Sequence, residues 1–354
     1  MNAGRSHYLE LLSDEAELLE RCILPGSDSE RRWLNRLAKR GVVVSPLRGM
    51  YARPSYWSAL DPVERHLQCA RALAAKHPTW IFSHFTAAAA LGFSVPYEEL
   101  NKIHRAVADP SPTSSPAIAC HRNRDGACET AGGLRVTPFE RTVRDCLCSL
   151  DFAEGLALAD SCCRVRGMTS TQLCELLDRC ATKRTHGIVT ARKSARYADG
   201  RSESGGESIA RAKIIELGFM VPNLQVEIPD PMGSDRAYRV DFMWEIPGGR
   251  RIIGELDGGR KYTDPNLTGG RDAVSVLRSE RLRESHLSAL NIPIMRFSYE
   301  MVLDEEHFRH LLEVFEVPEV RRRAHDGLIC LVKGAYTTIF GCPARYINIY
   351  PLVA

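Results

Sequence analysis

The chain has 354 residues, 44% of them hydrophobic and 26% charged, with a formal net charge of +3. That usage excludes global disorder, and the length predicts two or three folded units. A charge so close to balance leaves any attraction to nucleic acid to local basic patches, and no apolar run reaches the length of a membrane span.

The opening MNAGRSHYLELLSDEAELLE is acidic and lacks the basic region and apolar core of a secretory leader. From Asp14 to Pro54 the pattern predicts helix, turn, helix and then a two-stranded ribbon. DEAELLERCI is amphipathic. SDSERRWLNRLAKRG offers Ser29 as an N-cap, sets Trp33, Leu34 and Leu37 on one face, and stops at Gly41. VVVSPLRGMYARP then reads as a β-hairpin turning around Pro46 to Gly49. These are the parts of a winged helix. Arg31, Arg32, Arg36, Lys39, Arg40 and Arg48 put positive charge where a helix enters a DNA groove and a wing touches phosphate. The bland alternative is a solvated helix face beside a hairpin.

From Asp61 to about Arg192 the spacing is mostly helical, as in PVERHLQCARALAAKH and HFTAAAALGF. DPSPTSSP is a loop, after which AIACHR and GLRVTP suggest a short hairpin. FERTVRDCLCSL, AEGLALADSCCRVR and STQLCELLDRCA resume helical spacing. His84, beside Ser83, is a candidate ligand or base, although a lone histidine at a helix start is more often structural. The 12 cysteines are scattered without a C-x-x-C pair, and Cys146/Cys148 and Cys162/Cys163 lie in apolar helical patterns. Reduced thiols, no zinc site and a cytoplasmic protein are the expectation.

ADGRSESGG, residues 198–206, reads as a linker of glycine, serine and charge. Beyond it the order is helix (ESIARAKIIELGF), three strands (LQVEI, RVDFMWEI, RIIGELD), helix (RSERLRESHLSALN), strand (IPIMRF) and helix (DEEHFRHLLEVFEV). Three strands in series followed by a helical crossover predict a mixed sheet flanked by helices. The chain is thus an α/β, multidomain protein whose N-terminal half is mostly helical. Its expected parts are a winged helix at 1–56, a helical middle domain at 57–197, a linker at 198–205, the mixed-sheet domain at 206–318 and a C-terminal extension at 319–354. The extension, containing ICLVKGAYTTIFGCPARYINIYPLVA, is apolar and β-prone and has no functional reading.

In RVDFMWEI the alternation places Val240, Phe242 and Trp244 on one face and Asp241 on the other, against the tendency of strand interiors to avoid aspartate. On the next strand Glu255 and Asp257 share a parity. A hairpin around PGG brings Asp241 and Glu255 close, and two clustered carboxylates repel unless a positive group lies between them. Mg2+ (or Mn2+), which takes a few carboxylate oxygens plus water, is the expected ion.

SGGESIAR, LQVEIP, RVDFMW, GELDGGRKY and SERLRESHLSALNIPIMRF occur in the order in which the DUF559 domain carries them. Residues 202–297 therefore resemble that branch of the restriction-endonuclease-like PD-(D/E)XK superfamily, related to the very-short-patch repair endonucleases. RGMYARP, FSHFTAAAALG and TPFERTVRD make the residues before it similar to AbiEi-type antitoxin regions fused to such domains. The resemblance implies a metal-dependent DNA endonuclease in which Asp241 and Glu255 are metal ligands and Glu207 completes the acidic site. It expects lysine where Asp257 stands, so Lys261 is assigned the charge-stabilising role, with Arg211 and Gln225 as supporting residues. For Arg211 and Gln225 an i,i+4 ion pair and a strand-surface amide are the plainer readings. The antitoxin resemblance implies an alternative: a transcriptional regulator with an inactive nuclease-like domain and a nucleotidyltransferase toxin as partner. A third reading places the acids in plain salt bridges with Arg250, Arg251 or Arg260.

Overall fold

Among the described residues two mixed β-sheets organise the chain, one of five strands and one of four. The computed structural model describes residues 3–108, 114–233, 237–257, 281–283 and 285–320. It divides into Met1–Asp151 with Cys174–Arg192, and Phe152–Leu173 with Lys193–Ala354. Among the described residues no helix is long and apolar enough to cross a membrane.

The first unit begins with α1 (Ala3–Leu18) and α2 (Asp28–Lys39). Ser27, not Ser29, caps α2: its hydroxyl accepts the Glu30 N–H at 3.1 Å, while the Glu30 carboxylate accepts from Gly26 N–H at 2.6 Å. Both serines suit a cap, but only Ser27 stands three residues before a glutamate, the spacing a capping box needs. Leu34 and Leu37 are buried with Ile23, Val43 and Tyr51. The expected ribbon is reduced to one antiparallel bridge, Val44 to Ala52, because Tyr51 pairs with Ile23 instead.

After α3 (Pro54–Ala59) and α4 (Pro62–Lys76) come β1 (Ile81–Phe82), α5 (His84–Ala90), β2 (Ile103–Val107), β3 (Ile118–Arg122), β4 (Glu129–Ala131), β5 (Leu134–Val136) and α6 (Phe139–Leu147). The sheet order is β3-β2-β1-β5-β4. AIACHR and GLRVTP therefore do not form a hairpin. AIACHR runs parallel to β2 at one edge, and GLRVTP turns back on β4. The connecting strands β1 and β2 have two and five residues, too short for alternation to reveal.

α7 (Phe152–Arg166) belongs to the second unit, and the divisions fall inside α8 (Ser170–Cys180) and α9 (Ile188–Tyr197). The segment read as a linker is packed: Ser202 is fully buried, Asp199 N–H donates to Asp160 at 2.7 Å, and Gly200 lies against the α7 backbone. Side chains on α7, which the sequence alone places in another domain, are what it packs on.

α10 (Gly205–Glu216) leads into β6 (Asn223–Pro229), β7 (Ala237–Glu245), β8 (Arg251–Asp257), β9 (Ile294–Ser298), α11 (Tyr299–Leu303) and α12 (Glu305–Val314). The sheet order β6-β7-β8-β9 has antiparallel β6–β7 and β7–β8 pairs and a parallel β8–β9 pair, the mixed sheet expected. Phe242, Trp244, Ile214, Phe297 and Phe308 fill one core cluster, and Val240, Met243, Ile253 and Leu287 fill another. Val240 thus leaves the Phe242 and Trp244 face on which simple alternation places it. The change of side coincides with an unpaired step between Leu224↔Phe242 and Val226↔Val240, where Gln225 takes φ +52°.

Candidate functional site

Asp241 and Glu255 lie one step beyond Phe242↔Gly254, where the antiparallel β7–β8 ladder ends. There Leu256 N–H donates to Asp241 Oδ2 at 3.0 Å. A side-chain carboxylate thus takes over from the main chain just where the two strands part. β8 meanwhile continues beside β9, with Glu255 opposite Arg296 and Asp257 opposite Ser298. Gly254 permits this close packing, because a Cβ there would stand 2.9 Å from the Trp244 ring.

Three acids are electrostatically linked at this corner. Burial pushes the Glu255 carboxyl above its ordinary value, Arg283 opposes the rise and Asp241 adds to it. Burial likewise raises Glu207, with hydrogen bonds from Glu203 and Ser204 pulling the other way and Asp241 again raising it. Asp241 is therefore the member whose charge both neighbours feel. Glu207 sits in the first turn of α10 and helps to cap that helix, since its carboxylate accepts from Glu203 N–H at 2.9 Å and from the Ser204 hydroxyl at 2.8 Å. Gln225 Nε2 donates to Glu207 at 3.1 Å, so the residue in left-handed backbone is a support for the acidic corner.

The other expected residues are distributed differently. Arg211 does not form the i,i+4 pair with Glu207; it is buried on Asp160 of α7, with Nη2 at 2.7 and 2.8 Å from the two carboxylate oxygens. Asp257 is exposed and paired with Arg296 at 3.1 Å. Arg250 pairs with Glu316, away from the acids to which the third reading assigned it. Lys261 and Arg260 lie outside the described residues, as does the C-terminal extension beyond residue 320.

Sequence reasoning missed Arg283. Its guanidinium donates to Glu255 Oε1 at 2.7 Å and Oε2 at 3.4 Å, and to the Arg239 carbonyl of β7 at 2.7 Å. Arg283 is 28 positions from Glu255 in the chain, within a helical stretch rich in arginine, so no local spacing distinguishes it from its neighbours.

The donor chemistry fits a hard divalent cation on two carboxylates. One Asp241 oxygen is committed to Leu256 N–H, and the longer Arg283 contact holds Glu255 Oε2 only loosely. Mg2+ and Mn2+ are held by one or two carboxylates with water and substrate oxygens completing the shell. Among the described residues no three His, Cys, Asp or Glu side chains converge on one ion position; Glu207 is linked to the pair through the charge of Asp241.

In the first unit the six expected DNA-binding residues, Arg31, Arg32, Arg36, Lys39, Arg40 and Arg48, are all exposed. Arg32, Arg36 and Lys39 recur at helical spacing on one face of α2. Arg31 is partly neutralised by Asp28 at 2.9 Å.

His84 is not alone. Its ring stacks on His121 with centroids 3.5 Å apart, and His121 Nε2 lies 3.0 Å from His104 Nδ1. His104 Nε2 faces the Glu99 carbonyl at 3.2 Å, which places its proton there and makes His121 the donor to His104. His66 bridges the Leu100 carbonyl at 2.9 Å and the Thr86 hydroxyl at 2.8 Å. Burial lowers His84 well below its usual value, brings His104 to about 4 and lowers His66 and His121 as well. The histidines form a neutral, packed layer, in which His84 Nδ1 is buried without a hydrogen-bond partner and the His84 backbone takes φ +47°.

A scan against protein-family models finds no match. Two uncharacterized proteins of Mycobacterium tuberculosis, from strains CDC 1551 and H37Rv, are each 47% identical to the chain over 58 residues. The matched stretch covers 16% of this chain and 21% of each relative.

Proposed function

We propose that the second unit is a DUF559-type, restriction-endonuclease-like domain that hydrolyses phosphodiester bonds of DNA with Mg2+ or Mn2+, and that α2 and the ribbon of the first unit act as a winged helix delivering it to duplex. The observation that carries the reading is the placement of Asp241 and Glu255 side by side at the parting of β7 and β8, where the charge of Asp241 helps to raise the buried Glu255 carboxyl. Neither a fold nor a DNA-binding role requires two acids at such a place.

Asp241 and Glu255 would hold the cation, with Leu256 N–H fixing the rotamer of Asp241. A divalent ion bound there supplies charge neutralisation for a phosphate and a water of lowered pKa. Glu207 and Gln225 keep the β6 side of the corner in place. The test is incubation of the purified protein with plasmid and single-stranded DNA in Mg2+, Mn2+ or EDTA, beside Glu255→Ala. Metal-dependent cutting that Glu255→Ala abolishes supports the assignment; cutting that survives the substitution rejects it.

A second reading, an AbiEi-like antitoxin and regulator with an inactive nuclease-like domain, draws on a specific observation. Glu255 and Asp257 each already have an arginine partner, while the basic face of α2 is exposed. It predicts salt-sensitive DNA binding indifferent to EDTA, no cutting, and a nucleotidyltransferase as toxin partner.

A further inference from the structure

We propose that Arg283 is the exchangeable counter-charge of the acidic corner: it neutralises Glu255 when no cation is bound, competes with the cation for that carboxylate, and supplies the positive charge that a substrate phosphate meets. The inference rests on the reading of Asp241 and Glu255 as a cation site and names the residue that tunes it.

The geometry separates Arg283 from a purely structural arginine. Arg211 shows what the structural kind is like here: both it and Asp160 are almost fully buried, and one guanidinium nitrogen touches both carboxylate oxygens within 2.8 Å. Arg283 is different on each count. Its side chain is 22% exposed, and its contact with the second Glu255 oxygen stretches to 3.4 Å. Its best-held contact besides Glu255 Oε1 is a backbone carbonyl, Arg239 O, which remains available as an anchor when the carboxylate is given up. Removing the arginine from Glu255 leaves two adjacent acids, Asp241 and Glu255, with Arg296 as the positive charge among the described residues that still acts on Glu255. A divalent ion satisfies that demand and an arginine satisfies it less completely.

The position also explains how the corner manages with Asp257 where the family pattern has lysine. Asp257 is drawn away to Arg296. The cationic group that reaches Glu255 comes from residues 281–288, a segment that is helical where described. A guanidinium presents several N–H donors in a plane and suits a phosphate as well as a carboxylate, so the same side chain can serve both partners in turn.

Competition and support predict opposite signs for cation binding. If Arg283 competes, Arg283→Ala binds Mn2+ at least ~10-fold more tightly than wild type at low salt, because a positive charge beside the ligand is gone. The same variant cuts DNA more slowly, since the phosphate has lost its counter-charge. If Arg283 merely holds Glu255 in place, the substitution weakens both. Mn2+ binding to the full-length chain, followed by calorimetry, decides between them, with Arg283→Lys and Arg283→Gln alongside. Lysine keeps the charge and is expected near wild type, whereas glutamine is expected to follow alanine and preserves the reading should alanine unfold the protein. Unchanged or weaker binding in the charge-removing variants, with Glu255→Gln still abolishing Mn2+ binding, overturns the inference and leaves the cation site standing. Absence of Mn2+ binding in every variant overturns both.

Discussion

The histidine layer of the first unit and the acidic corner of the second both bury titratable groups, yet they solve the problem in opposite ways. His66 and His104 are answered by backbone carbonyls of Leu100 and Glu99, groups that cannot change charge or leave. Asp241 and Glu255 are answered by one backbone N–H and one partly exposed arginine. His66 and His104, neutral and with fixed partners, make the satisfied part of that layer. Charged groups that repel each other, with a partner able to swing away, make a place where something else is expected to bind. The comparison teaches that burial alone does not mark a site; incomplete compensation does.

The largest effect expected is at a third arrangement, the almost fully buried ion pair of Asp160 and Arg211. Asp160→Ala strands Arg211 in the interior and should cost about 3–5 kcal/mol in denaturant unfolding. A loss as small as that of a surface pair would mean that Arg211 finds another partner.

Acid comes next and separates the two regions by sign. The histidines are held neutral in the fold, so the unfolded chain takes up protons first. Their contribution is complete above the unfolded value of 6.5 and is lost as pH falls from there through the lowered folded values, about 4 for His104. His104 alone then contributes on the order of 3 kcal/mol across that window. Denaturant midpoints read by fluorescence of Trp33, Trp57 and Trp80 should fall steeply over it, and the slope should flatten in His104→Asn. A slope that His104→Asn leaves unchanged would show that these imidazoles are not the groups responsible.

Asp241→Ala should lower the rate of DNA cutting at least ~100-fold, an effect of the size seen on losing one electrostatic stabiliser. Stability should move by no more than about 1 kcal/mol, because a lost acceptor for Leu256 N–H is offset by relief of the repulsion on Glu207 and Glu255. If stability collapses instead, the acidic corner is structural and resembles the histidine layer after all.

The smallest change expected is Gly254→Ala. Its methyl group would press on the Trp244 ring at 2.9 Å and on Phe242 Cβ at 3.1 Å, costing about 1–3 kcal/mol and spreading β7 from β8 beside the two acids. A stability loss with undiminished Mn2+ binding would show that the corner tolerates a wider spacing than proposed.

What the sequence made legible follows the same physics. RVDFMWEI, RIIGELD and IPIMRF are long enough, and apolar enough on their buried positions, for pattern to place them in one mixed sheet with Asp241 and Glu255 at neighbouring strands. The first sheet was illegible because Ile81–Phe82 carries no period and AIACHR has its parallel partner earlier in the chain. The packed segment 198–202 looked like a linker because its partners lie on α7, 39 positions away in the case of Asp160 and Asp199. Arg283 escaped for the same reason. An ion pair that closes through the tertiary fold leaves no spacing to read, whereas a strand announces itself in every second residue.

The most direct measurement is a crystal structure of the protein soaked in Mn2+, with the anomalous difference map inspected at β7 and β8. The account predicts a peak bridging the Asp241 and Glu255 carboxylates, with the Arg283 guanidinium moved off Glu255. A map without that peak, and with the Arg283 to Glu255 pair unbroken at saturating Mn2+, would contradict it.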